Sequence, residues 1–329
     1  MKKALIIADA YAAVYNEGLI DKIKQKVDLY DRPYKSGEIM QNLGVLSDCE
    51  IMFSTWGIPK IDRDFLRHAP NLKLVLYGAG SVKHFVTDAS WDAGVRVCSA
   101  WVANDIPVAE YTLANILFGL KRGLQNARTY TESRGQQRTS MSPAGCYHSN
   151  VGIISTGAIG RMVISLLKNF EVNIKAYDPY LTEERAKELG VEKTTLEDVF
   201  ACCDVVSLHT PLLAETRGMI TGKHIDSMKQ GAMLINTARG AIIREDEMIR
   251  SLKERDDLFA VLDVTDPEPP APDSQLWDMK NILLTPHIAG SMGNECYRNG
   301  LYMYEECCRY LDDLPMKWEL TREMVKIMA

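Results

Sequence analysis

The chain has 329 residues, 46% apolar and 25% charged, with 22 Gly and 13 Pro; this describes a globular protein of about two domains and excludes collagen-like, low-complexity and small stapled scaffolds. Its net charge of −6, without blocks of like charge, argues against a nucleic-acid groove or an anionic membrane surface as main partner. The basic start Met1-Lys2-Lys3 leads into an apolar run that stops at Asp9, too short for a secretory signal, and no later run reaches the roughly 18 residues of a membrane span.

Short apolar runs near Leu5 to Ala8, Ile51 to Ser54, Leu74 to Tyr77 and Val95 to Val97 predict a first, loosely spaced βα series over residues 1 to about 100. Val108 to Leu120, after Asn104-Asp105-Ile106-Pro107, reads as a long apolar helix, and residues 131 to 150 read as a polar connection. From Val151 onward strands and helices alternate closely. Val151 to Ile154, Val172 to Tyr177, Asp204 to Leu208, Ala232 to Ile235, Phe259 to Leu262 and Asn281 to Leu284 read as strands. Helical patterns through Val163 to Phe170, Glu183 to Leu189, Leu196 to Cys202 and Glu245 to Arg255 separate them, and another begins near residue 292. Near-continuous apolar strands between helices imply a parallel sheet covered on both faces, a doubly wound α/β domain. The eight cysteines show no Cys-x-x-Cys spacing and include two adjacent pairs, which suits reduced, mostly buried thiols in a cytoplasmic protein better than a zinc site or a disulfide framework.

Ser155-Thr156-Gly157-Ala158-Ile159-Gly160 directly follows a predicted strand and opens a predicted helix. It is a dinucleotide fingerprint whose first glycine is replaced by Ser155. Gly157 would let the backbone approach a pyrophosphate, and Gly160 would allow close helix–strand packing. Asp178 ends the next strand, 21 residues past Gly157, where a carboxylate would accept the ribose hydroxyls and repel a 2′-phosphate. A Gly-rich turn also occurs without any nucleotide, and a methyltransferase shares this turn and acid. Three polar residues then follow successive predicted strands, at the edge where open α/β sheets bind ligands: Arg239, Glu268 and His287. A guanidinium there can clamp a carboxylate through two hydrogen bonds, and an imidazole can exchange a proton near neutral pH. Taken singly, each is as readily a surface arginine, a solvated glutamate or a structural histidine.

The order and spacing of these segments resemble the D-isomer-specific 2-hydroxyacid dehydrogenases. The resemblance is carried by Val151 to Gly160, Ser207-Leu208-His209-Thr210-Pro211, Met228 to Ala232, Ile235 to Gly240, Leu262-Asp263-Val264 with Glu268-Pro269, and Thr285-Pro286-His287, with intervals of 29 and 19 residues between Arg239, Glu268 and His287. It implies NAD as cofactor, a D-2-hydroxy acid or 2-keto acid as substrate, and Arg239, Glu268 and His287 as the catalytic set, with no metal. Ala158 and Ile159 would offer N–H groups to the pyrophosphate. Thr210, Pro211, Thr237, Ala238 and Asp263 would line the rest of the cofactor, Asp263 near the nicotinamide amide. Ala79 and Gly80 would hold the substrate carboxylate together with Arg239; Val82 stands where many members carry an acid. The implied architecture is a Rossmann-type cofactor domain, residues 102–291, and a smaller flavodoxin-like α/β substrate domain, residues 1–101, to which 292–329 return. A homodimer through the cofactor domain is implied, without room for an appended regulatory domain. Relatives that act as non-catalytic NAD(H)-sensing corepressors supply the alternative function.

Overall fold

A computed structural model describes residues 1–139 and 144–328. The chain divides into two compact units, Met1–Pro107 with Ser291–Met328, and Val108–Gly290.

In the first unit, β1 (Lys3–Ile7), β2 (Asp28–Leu29), β3 (Ile51–Ser54), β4 (Leu74–Tyr77) and β5 (Arg96–Ser99) are parallel in the order β2-β1-β3-β4-β5. This is the flavodoxin-like order. The second unit holds seven parallel strands, β6 (Asn150–Ile154), β7 (Asn173–Tyr177), β8 (Glu192–Lys193), β9 (Val205–Leu208), β10 (Met233–Asn236), β11 (Phe259–Leu262) and β12 (Ile282–Leu284), in the order β8-β7-β6-β9-β10-β11-β12. The Rossmann order follows, with its reversal between β6 and β9. A last short strand, β13 (Glu319–Leu320), adds antiparallel to β5.

Alternation of side chains along the strands builds two cores per unit. In the first, Leu5, Ile7, Met52, Val75 and Val97 face one way and Ala4, Ile6, Phe53, Leu76 and Cys98 the other. In the second, Ile154, Val206, Leu208, Leu234 and Leu262 oppose Val151, Ile153, Val205, Ile235 and Val261. Strands buried on both faces require the near-continuous apolar runs seen in the sequence.

Five elements differ from expectation. The helix expected from Val108 spans Trp101–Leu120 with Pro107 inside it, so the change of unit falls within a helix rather than at 101/102. The expected connection over 131–150 begins inside another helix, Gly123–Glu132, and its residues 140–143 lie outside the described residues, as does residue 329 of the expected C-terminal return. The two-residue strands β2, β8 and β13 carry too few residues to show a period. All eight cysteines are unpaired, and five are buried. Among the described residues, no helix is long and apolar enough to cross a membrane, and no cluster of His, Cys, Asp and Glu is disposed to hold a metal ion.

Candidate active site

The turn after β6 is built by its neighbour strand. Ser155 adopts φ +76, the left-handed conformation that a fingerprint glycine would take without cost, and its N–H donates to the Tyr177 carbonyl at 2.8 Å. Thr156 donates twice to Asp178 Oδ2, from N–H at 2.8 Å and Oγ1 at 3.0 Å, while the Tyr180 N–H donates to Asp178 Oδ1 at 2.9 Å. Asp178 therefore fixes the turn that leads into the helix Ala158–Leu167. Gly157 is the N-cap and supplies no capping side chain, so the N–H groups of that first turn, which no helix satisfies internally, stay available to an anion. A Cβ on Gly157 would meet only Ser155 Oγ, at 3.6 Å, whereas one on Gly160 would lie 2.2 Å from the Ser155 carbonyl oxygen. The surface at 157 is open while the helix at 160 presses on the turn. That combination fits a dinucleotide pyrophosphate.

Thr210, Thr237 and Ala238 are buried just past the ends of β9 and β10, and Thr237 Oγ1 lies 3.3 Å from Thr112 Oγ1. Pro211 is half-buried next to Thr210. His209 joins this region without having been singled out in the sequence. It is buried, its Nε2 lies 3.1 Å from Ser207 Oγ, its Nδ1 has no partner, and burial pushes its pKa down to about 4, leaving a neutral ring at physiological pH.

Arg239, Glu268 and His287 follow the ends of β10, β11 and β12, which are consecutive in the sheet. Arg239 is half-buried in extended backbone, and its Nη1 donates to the Ala238 carbonyl at 2.6 Å. The Asn236 side chain braces this turn, accepting the Ala238 N–H and donating to the Arg239 carbonyl, both at 3.0 Å. His287 Nδ1 donates to Glu268 Oε1 at 2.6 Å. A carboxylate on Nδ1 fixes the tautomer and leaves Nε2 as the nitrogen that exchanges a proton. The pair is accessible, with the side chains 47% and 41% exposed, and opens on a cleft of about 450 Å³ bounded also by Asp263, Pro269, Trp277 and Leu284.

Asp263 is buried against the loop that carries His287. Its carboxylate accepts Thr285 Oγ1 at 2.6 Å and the N–H groups of Ile288 and Ala289 at 2.8 Å. In the first unit, Ala79 and Gly80 follow β4, and the Ser99 hydroxyl is shared between their carbonyl oxygens at 2.8 and 2.5 Å. Val82 is buried in the core there, where an ionised acid would be desolvated. Glu268 and His287 are thus brought into contact, as are Asp178 and the fingerprint turn. Sequence reasoning passed over His209, Thr285 and Tyr111; the first two lie inside motifs it used, and the third carries no pattern at all.

Residues 114–289 match the family model described as D-isomer specific 2-hydroxyacid dehydrogenase, NAD binding domain. D-3-phosphoglycerate dehydrogenase from Bacillus subtilis is 33% identical over 257 residues, 78% of this chain and 49% of that one. The chain spans about half the length of the curated relatives it matches. Among solved structures, D-2-hydroxyisocaproate dehydrogenase superposes with a TM-score of 0.81 at 21% identity, covering 97% of this chain and 99% of that one. A D-lactate dehydrogenase from Treponema pallidum gives 0.77 at 23%, covering 97% and 99%. These relatives are dehydrogenases and lend no support to the corepressor alternative.

Proposed function

The chain belongs to the D-isomer specific 2-hydroxyacid dehydrogenases, and from that membership we propose that it interconverts a D-2-hydroxy acid and its 2-keto acid with NAD as cofactor. The observation that carries the reading is the 2.6 Å contact between His287 Nδ1 and Glu268 on an NAD-binding domain. Bound NAD(H) supplies the hydride acceptor or donor. In keto-acid reduction, the Arg239 guanidinium clamps the carboxylate and polarises the keto oxygen. Protonated His287 gives its Nε2 proton to that oxygen, while Glu268 holds the ring through Nδ1. In oxidation the neutral ring takes the same proton back. Gly157, Ala158, Ile159 and Gly160 are assigned to the pyrophosphate and Asp178 to the ribose. Thr210, Pro211, Thr237, Ala238 and Asp263 are assigned to the rest of the cofactor. Ala79 and Gly80 are assigned to the substrate carboxylate, which makes the first unit the substrate domain.

The test follows NADH absorbance with a panel of 2-keto acids. Turnover above background with at least one, lowered by roughly 10²–10⁴-fold in His287→Ala, supports the reading. Tight NADH binding without turnover on any of them removes it.

The same reading includes a homodimer formed through the cofactor domain and a cytoplasmic location. The helix Gly123–Glu132 buries none of its residues, and its own Tyr130 and the nearby Phe118 are exposed, as a face awaiting a second copy would be. Light scattering on purified protein checks the mass. Eight unpaired thiols suit a reducing compartment.

A further inference from the structure

The pairing of β11 with β12 sets Leu262 against Leu284, which brings Asp263 beside Thr285 at the strand ends. Asp263 is 1% exposed. Its Oδ1 accepts Thr285 Oγ1 and the Ile288 N–H, its Oδ2 accepts the Ala289 N–H, and its carbonyl accepts the His287 N–H at 3.0 Å. All four partners lie in the segment 285–289, which carries His287. Because the Thr285 hydroxyl donates to Asp263, it accepts from Tyr111 Oη at 3.0 Å, so the helix Trp101–Leu120 backs the same carboxylate.

His287 itself sits at φ +54, a left-handed backbone uncommon outside glycine, which histidine tolerates better than most residues and which its surroundings here over-determine. Asp263 is what over-determines it. With the carboxylate gone, the Ile288 and Ala289 N–H groups lose their acceptor, residue 287 relaxes toward extended backbone, and the ring leaves Glu268.

We propose that Asp263 is a positioning residue for His287, supported by Thr285 and Tyr111, rather than only a contact for the nicotinamide amide. The proposal rests on the assignment of His287 as the proton-exchanging group. It predicts a split between turnover and cofactor binding.

The test uses Asp263→Asn and Tyr111→Phe in the full chain. NADH affinity is measured by fluorescence titration, kcat with the best keto acid, and the His287 Nδ1–H by its downfield proton resonance in the NADH-bound protein, assigned by its loss in His287→Gln. Asp263→Asn is expected to lower kcat by roughly 100-fold, to weaken NADH binding by a much smaller factor, as loss of one contact among many would, and to abolish the resonance. Tyr111→Phe is expected to lower kcat by roughly three- to tenfold at unchanged KM and to shift the resonance. An Asp263→Asn protein that keeps the resonance and loses NADH affinity by the same factor as kcat/KM overturns the proposal. If Asp263→Asn does not fold, unchanged kcat and resonance in Tyr111→Phe overturn it. If the wild type turns over no keto acid, the acid–base role of His287 fails, and the resonance alone decides whether Asp263 holds the ring.

Discussion

Asp178 holds a backbone turn and, in the proposed assignment, a ligand as well. Three donors from Thr156 and Tyr180 already hold it at the end of β7, so if it takes the ribose as proposed it presents fixed negative charge to the 2′ position. NADPH would bring a phosphate against that charge, and kcat/KM is expected to favour NADH by roughly 100-fold, about 2.7 kcal/mol. Equal values for the two cofactors would remove Asp178 from the ribose. If Arg239 clamps the substrate carboxylate as proposed, its two-donor planar fork matters more than its charge. Arg239→Lys should therefore lose most of the activity while NADH affinity stays nearly constant, and a Lys variant with near-normal kcat/KM would return Arg239 to a structural role. The sequence singles out both residues, Asp178 by its distance from Gly157 and Arg239 by its place after an apolar strand, and their roles are proposed from it. The hold of Asp263 on the His287 loop was not legible, since three of its four partners are backbone N–H groups that leave no trace in side-chain identity.

At the scale of the element, the strand–turn–helix around Ser155 explains how a fingerprint keeps its shape without its first glycine. A side chain at φ +76 costs on the order of 1 kcal/mol, and the Tyr177 carbonyl and the Asp178 contacts hold the turn in spite of it. Ser155→Gly should relieve that strain, partly offset by the greater freedom of an unfolded glycine, so stability should rise by less than about 1 kcal/mol with NADH affinity intact. Gly160→Ala should act in the opposite sense. Its Cβ would sit 2.2 Å from the Ser155 oxygen, forcing the helix off the turn, and a loss of roughly 2–3 kcal/mol with weaker NADH binding is expected. Thermal melts and NADH titrations on the two variants read both outcomes, and a tolerated Gly160→Ala would deny the close approach. The strands β3 and β4 were readable to the residue because they are continuous apolar runs buried on both faces. The start of the helix Trp101–Leu120 was not, because Pro107 has the signature of a first helical position and here lies inside the helix.

At the scale of the molecule, both sheet orders follow from the alternation of strand and helix, which admits few right-handed arrangements, so fold class was the most legible level of all. Electrostatics at that scale depends on burial, which no sequence pattern prints, and His209 is the example. Its folded pKa of about 4 lies below the ordinary histidine value near 6.5 because the ring is desolvated. Burial also lowers His84 and His224. Between those two pH values the unfolded chain binds a proton at His209 that the folded chain refuses, so stability rises with pH across the window and is lost as pH falls from about 6.5 toward 4, and His84 and His224 act in the same direction. For His209 alone the loss amounts to roughly 3 kcal/mol. Carboxylates lowered by ion pairs, such as Asp257 beside Arg255, act below about 4 and leave this window to the histidines. Glu245, raised by burial, opposes the slope. Urea midpoints measured from pH 7 to pH 4 should fall steadily for the wild type, and His209→Gln, which stays neutral throughout, should show a visibly shallower decline from its own pH 7 value. Parallel curves for the two proteins would mean that His209 is solvated in the folded chain.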